Sequence, residues 1–231
     1  MYTREVSGKE LELGVSGKLY KDALVMFDRE TGTLWTQVDG SALRGPLVGR
    51  RLAEVPAMQT TWKVWKRLHP NTLVLRKPAT VRGSRYEEYF ADPAQLGPSG
   101  TRGDERLAGK ALIIGLHSAE DAIAIPVSIV EKRQLVETEL AGEPLVVFYS
   151  RENRTAAVFR ANVTGRRLSF RIVRRAGLSL LEDAETHSEW SPLEGRAISG
   201  PLKDTRLEQV PYFHSYWYAW SAYRPQTRIV R

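Results

Sequence analysis

Residues 30–47, "ETGTLWTQVDGSALRGPL", are nearly restated at 185–202 as "ETHSEWSPLEGRAISGPL", and the reading of this duplication decides the fold. At a constant offset of 155, residues 28–72 align without a gap on 183–227. In register are Asp28/Asp183, Glu30/Glu185, Trp35/Trp190, Gly40/Gly195, Gly45/Gly200, Pro46/Pro201, Leu52/Leu207, Pro56/Pro211 and Pro70/Pro225. Trp62/Trp217 and Trp65/Trp220 join them, so the chain's 6 tryptophans fall into matched pairs. Chance does not readily produce that with so rare a residue, and an internal repeat of this kind sets the architecture before any other signal.

Working outward, a two-residue slip brings residues 4–13 onto the stretch around 162–170 and sets Met1 opposite Phe159. The second copy reaches further back, through "GKALIIGLHSAEDAIAIPVSIVEKRQLVETELAGEPLVVFYS", which has no counterpart in the first. About one and a half tandem units are therefore expected: an N-terminal half-unit at 1–76, a connector at 77–108 and a complete unit at 109–231. That division is compatible with one compact pseudo-symmetric domain. The connector is rich in Gly, Pro, Arg and Asp and reads as loop. Its "RYEEYF" core is too aromatic for a free linker and should be pinned against a unit.

Each unit reads as mainly β. Segments 111–116, 122–125, 135–140, 145–150, 155–162 and 168–173 recur at the spacing of a meander or barrel of short antiparallel strands. Pro126 can open a short helix that buries Val127, Ile129 and Val130. Within the shared phrase, Gly40 and Gly195 supply the positive φ of a tight turn, and Gly45-Pro46 and Gly200-Pro201 re-aim the chain. Leu52 with Val55, and Leu207 with Val210, should form a short strand ended by Pro56 or Pro211. One short Trp-faced helix per copy follows, "MQTTWKVWKRLHP" and "FHSYWYAWSAYRP". Thr60 or Thr61, and Ser215, can cap these helices. Trp62, Val64, Trp65 and Leu68 share one face, as do Trp217, Ala219, Trp220 and Tyr223, and both faces are expected to be packed down on a sheet.

The totals exclude several chemistries. A hydrophobic share of 42% and a charged share of 26% are ordinary for a globular chain. With 0 cysteines, disulfides, thiolate nucleophiles and Cys-ligated metal are absent. No apolar run has the length of a membrane span, and the opening "MYTREVSGKELEL" lacks a signal-peptide core; the compartment is not indicated. The formal net charge of +7 favours anionic partners. The basic residues are nevertheless spread among acidic ones, so nucleic acid is not the expected partner.

Candidate sites are sparse. Asp28 with Glu30, and Asp183 with Glu185, place two carboxylates on one side of an extended segment, a pattern open to acid/base or metal-assisted chemistry. The same residues can build the turn through local hydrogen bonds. Arg29, Trp35, Gln37 and Trp190 are candidate ligand-binding residues beside them. The histidines do not converge: His69 precedes a proline, His117 and His187 sit in turn signals, and His214 precedes a helix. No metal site or cofactor is expected.

The segments "LELGVSGKLYKDALVMFDRETGTLWTQVDGSALRGPLVGRRL", "LVVFYSRENRTAAVF" and "WSPLEGRAISGPL" resemble an uncharacterised prokaryotic family, domain of unknown function 3179. The resemblance covers nearly the whole chain and implies no established activity; it implies export or envelope association for longer members. Members carry a Cys-containing segment ahead of the "GVSG" stretch. The matching place in the second copy, around Tyr149 and Ser150, has no cysteine, so no cysteine chemistry is carried over. The expected function is a non-catalytic binding or structural module, envelope-associated as the resemblance implies. The alternatives are a hydrolytic or metal-assisted enzyme using the acidic pairs, and an anion- or nucleic-acid-binding protein. Residues 2–13 lack the neighbours of their counterpart, so cover by the connector or a homodimer through this N-terminal strand is expected.

Overall fold

The computed structural model describes residues 1–76, 86–98 and 103–231; the rest of the connector lies outside them. The chain is mainly β, with short sheets and four short helices among the described residues. The N-terminal copy begins with the small hairpin β1 (Glu5–Val6) and β2 (Lys9–Glu10). A four-stranded antiparallel meander follows: β3 (Leu13–Tyr20), β4 (Ala23–Asp28), β5 (Leu34–Thr36) and β6 (Ala42–Arg44). Helix α1 (Trp62–Leu68) closes the copy, and α2 (Glu87–Ala91) lies in the connector.

The C-terminal part starts with β7 (Leu112–His117), β8 (Ala122–Pro126) and α3 (Val127–Arg133). A three-stranded sheet comes next: β9 (Leu135–Leu140), β10 (Glu143–Ser150) and β11 (Thr155–Arg160). The hairpin β12 (Asn162–Val163) and β13 (Arg166–Arg167) then leads into a second four-stranded meander. Its strands are β14 (Phe170–Arg175), β15 (Leu178–Asp183), β16 (Glu189–Ser191) and β17 (Arg196–Ser199). Strand β18 (Phe213–Tyr216), α4 (Trp217–Tyr223) and β19 (Arg228–Ile229) complete the chain.

The meanders were expected; a barrel was not found, since none of these sheets closes on itself. Nor is pairing wholly antiparallel, because β19 runs parallel to β8 at the edge of the sheet β18-β7-β8-β19.

The three-stranded sheet is the centre of the core. Alternate residues point to opposite faces of a strand, and here both faces are buried. Val146, Phe148, Ala157 and Phe159 pack with Trp190, Leu193 and Val64, so α1 of the N-terminal copy lodges against the C-terminal core. Leu145, Val147, Tyr149, Ala156 and Val158 pack on the other side with β7, β8 and α3. In α3, Val127 and Val130 are buried as expected, and Ile129 is partly so. The N-terminal meander keeps a smaller core of Val6, Leu11, Trp35 and Leu52. Their C-terminal matches, Val163, Leu168, Trp190 and Leu207, are fused with the central sheet.

Several details correct the reading of the sequence. Tyr2, not Met1, corresponds to Phe159: Tyr2 bridges Glu54, Phe159 bridges Gln209, and Met1 and Val158 accept equivalent bonds from Val55 N and Val210 N. The segments at 52–55 and 207–210 are not strands. Each makes only an isolated bridge, Glu54 with Tyr2 and Gln209 with Phe159 of β11, while Leu52 and Leu207 turn inward. Thr61, not Thr60, caps α1 by accepting from Val64 N, while the Thr60 hydroxyl bonds Thr155. Ser215 does not cap α4. Residues 213–216 are strand, and the first helical amides, Trp217 N and Tyr218 N, donate to the carbonyls of Ala111 and Gly109.

The largest departure is α1. Trp217 and Trp220 are fully buried against β7, whereas Trp62 is 54% exposed and Trp65 only partly buried. The helical period is that of a one-faced helix, but among the described residues nothing covers the Trp62 side of α1 as β7 and β8 cover α4. Residues 2–13 find partners within the chain: Thr3 N donates to Ala53 O, Leu11 N donates to Arg4 O, and β1 pairs β2. The connector is pinned as expected. Tyr89 and Tyr218 share a hydrogen bond between their hydroxyls at 2.9 Å, and Lys110 Nζ donates to the carbonyls of Tyr89 and Asp92.

Candidate functional site

The acidic candidates sit at the strand ends of the two meanders, and each group closes on itself. Asp28 is fully buried. Its Oδ1 accepts from Thr31 N at 2.6 Å and Thr31 Oγ1 at 2.7 Å, and its Oδ2 accepts from Trp35 Nε1 at 2.8 Å. Asp183 repeats this with Thr186 N at 2.6 Å, Thr186 Oγ1 at 2.8 Å and Trp190 Nε1 at 2.8 Å. Burial alone would raise the Asp28 pKa; the hydrogen bonds from Trp35 and Thr31 outweigh it and hold the carboxyl below its ordinary range. Both Glu30 oxygens accept from Glu12 N, and Glu185 accepts from Ser169 N. Arg29 makes an exposed ion pair with Glu12 at 2.7 Å. Trp35 and Trp190 are fully buried, with no face for a ligand. The Gln37 carbonyl accepts from Tyr2 Oη at 2.8 Å. Its residue also lines a cavity of about 570 Å³ with His214 and Trp220, where burial pulls the His214 pKa down.

The backbone around these clasps demands glycine. Gly40 and Gly195 have φ of 68° and 61°, and an added Cβ would strike the rings of Tyr2 and Phe159 at 2.8 and 2.6 Å. At Gly45 and Gly200 the obstacles are Thr33 and Ser188. These corners are what the shared phrase encodes.

A different pair of sites appears where the copies meet, each built from the turn and corner of one copy and the helix of the other. In the first, Asp39, Arg51 and Glu54 face His117, Phe213, Trp220 and Arg224. His117 ends β7 instead of lying in a turn, and its side chain is 6% exposed. Its ring stacks on Phe213 with centroids 5.7 Å apart and tilts over Trp220 at 6.1 Å. His117 Nε2 lies 2.9 Å from Glu54 Oε1, an ion-pair distance once the imidazole is protonated, although the angle is not that of a hydrogen bond. Asp39 accepts from Thr36 Oγ1 and Ser41 N and lies 3.8 Å from Arg51. Burial lowers the pKa of Arg224, with Asp39 and Glu54 opposing that shift, and its Nε and Nη2 are buried without hydrogen-bond partners.

The second site consists of the residues 155 positions away, and it is open. A cavity of about 500 Å³ is lined by Met58, Trp65 and His69 from around α1, and by Glu194, Arg206 and Gln209 from the opposite copy, with Leu193 beside them. Trp65 and His69 lie ring to ring at 4.1 Å, and Trp65 Nε1 is held by Thr72 as Trp220 Nε1 is held by Thr227, both at 2.9 Å. A volume of this size suits a small organic ligand. Sequence reasoning missed both sites, because Glu54 and His117 are remote along the chain. A signal that could have found them is the offset of 155 itself, which also pairs Arg51 with Arg206 and Asp39 with Glu194.

Among the described residues, no group of three or more His, Asp and Glu is arranged to hold a metal ion. Nor is any helix among them long and apolar enough to cross a membrane. Residues 1–227 match the family model "Protein of unknown function (DUF3179)", which agrees with the resemblance read from the sequence. No curated protein and no solved structure matches the chain.

Proposed function

The chain belongs to the DUF3179 family, and on that premise we propose that it is a non-catalytic binding module of one and a half tandem units. The units clasp each other, the helix of each lying over the corner of the other, and the open cavity beside α1 is the ligand seat. The observation that carries this reading is the contrast between the two cross-copy sites. One is filled by His117; the other, with matching walls, is an open cavity of about 500 Å³.

The hydrolytic alternative draws no support from the acidic pairs. Asp28 and Asp183 each hold an indole and a threonine in their own turn, which leaves no carboxylate oxygen directed at a cleft. The anion-binding alternative draws no single cluster from the ion pairs: nine arginines, among them Arg160 with Glu143 and Glu208 and Arg171 with Glu182, pair with carboxylates among the described residues, and the other basic side chains remain open to it.

A fragment screen on the full chain, followed by amide and indole chemical shifts, tests the proposal. Hits should cluster at Trp65, Leu193 and Gln209. Hits centred on Asp28 or Asp183, or a hydrolytic activity abolished by Asp28→Asn in a folded chain, would replace it with the enzyme reading.

A further inference from the structure

On the reading that the cavity beside α1 is a ligand seat, its filled twin indicates what fits. We infer that this cavity binds a planar five-membered N-heteroaromatic ring of the imidazole type, held between Met58 and Trp65 with its ring nitrogen on Gln209. The His117 imidazole in the twin touches three groups: the Phe213 ring, the Trp220 ring and the Glu54 carboxylate. Their matches 155 residues away are Met58, Trp65 and Gln209, and all three line the open cavity. The outer ring of charge is matched as well, since Asp39, Arg51 and Arg224 become Glu194, Arg206 and His69. Among the described residues no strand stands where β7, which delivers His117, stands in the twin. The cavity therefore has the walls of the His117 site with no ring in the place of His117, while His69, the match of Arg224, lies ring to ring with Trp65 at 4.1 Å.

The substitutions between the twins refine the ligand's chemistry. An indole face and a thioether both favour a flat, polarisable ring. Glu54 favours a protonated ring, whereas the Gln209 amide offers one acceptor and two donors and so takes a neutral ring in either tautomer. Glu194 and Arg206 offset each other's charge, so no net ionic preference is imposed. The ring could arrive on a free heterocycle or on the side chain of a strand, as His117 does. In the twin the strand approaches through Gly115, whose added Cβ would lie 2.6 Å from the Trp220 ring. A Gly-Leu-His tripeptide reproduces that approach.

The experiment is a pair of titrations of the full chain, one with 4-methylimidazole and one with acetyl-Gly-Leu-His amide. Both are monitored at the Trp65 indole N–H and the Gln209 side-chain amide, with cyclopentanecarboxamide as a ring of similar size that is not aromatic. Saturable shifts at both groups, and none at the Trp190 indole, are expected from the two imidazole probes. A tripeptide binding about 10-fold tighter than the free ring would mean delivery on a strand, and similar affinities would mean a free heterocycle; each supports the inference. Equal shifts with cyclopentanecarboxamide would overturn the ligand class while leaving a binding cavity. No shift with any probe at saturating concentration would overturn both the class and the binding-module reading. Gln209→Glu restores the acidic partner and should tighten 4-methylimidazole by ~5-fold below the ring's pKa relative to above it. If that variant shows no pH dependence, Gln209 is not the ring's partner.

Discussion

If the duplicated phrase encodes corners and buried indoles, the Asp28 clasp should show a measurable stability. Asp28→Asn keeps the shape but replaces one oxygen with an NH₂ group. All three of its partners, Thr31 N, Thr31 Oγ1 and Trp35 Nε1, lie on the carboxylate as donors. One donor must then face another donor in a fully buried position. Leaving a buried donor unsatisfied costs about 1–3 kcal/mol, and the lost bonds were charge-assisted, so a destabilisation of about 2–3 kcal/mol is expected. Trp35→Phe removes the indole N–H, and the double variant should recover about 1–2 kcal/mol of coupling. The pair Asp183 and Trp190 has the same 2.8 Å bond, so its cycle should agree within about 0.5 kcal/mol. Urea unfolding followed by far-ultraviolet circular dichroism measures all of these. A folded Asp28→Asn chain within about 0.5 kcal/mol of the parent would refute the reasoning and free the carboxylate for another role.

Other outcomes follow from the same geometry. Because the folded-state pKa of Asp28 is depressed, its contribution is complete above the unfolded carboxyl's pKa of about 3.9 and is lost as pH falls through the lower folded value. The gap in melting temperature between parent and Asp28→Asn should therefore narrow on acidification from neutral pH; a gap that widens would contradict the sign. Gly195→Ala combines a φ of 61° with a Cβ 2.6 Å from Phe159 and should cost about 2–3 kcal/mol in a denaturant titration. Trp217→Ala, at a fully buried position, should cost about 3–5 kcal/mol, whereas Trp62→Ala at its exposed match should cost less than about 1 kcal/mol. Light scattering tests the proposed homodimer through the N-terminal strand. The contact was expected at residues 2–13, which pair within the chain, and a monomer at high concentration would count against it.

What the sequence revealed was mostly local. Gly40 and Gly195 are legible because positive φ has few other solutions, Gly45 and Gly200 through the prolines that follow them, and Trp35 and Trp190 because a repeated indole in a strand signal is core. Helices α1 and α4 were legible from their period and from the prolines that follow them, and α3 from Pro126 at its start, whereas α2 falls in a stretch that reads as loop. Cover was not legible. Trp62 and Trp217 occupy the same helical position, and only the presence of β7 and β8 beside one of them separates an exposed ring from a buried one. The clasping of the copies was hidden for a related reason. Val64 joins the core of the other copy, a choice made by tertiary packing and not by its own neighbours. Ser215 failed as a cap because strand pairing to β7 delayed the helix and let main-chain carbonyls satisfy its first amides. The site holding Glu54, His117 and Arg224 needs three distant segments, and no local spacing records it.

Hydrogen exchange of the six indole N–H groups, assigned by single Trp→Phe variants, tests most directly whether the repeated phrase builds structure. Strong protection is expected at Trp35 and Trp190, where the indole is buried on an aspartate, and the fastest exchange at Trp62. Exchange at Trp35 and Trp190 as fast as at Trp62 would contradict that expectation.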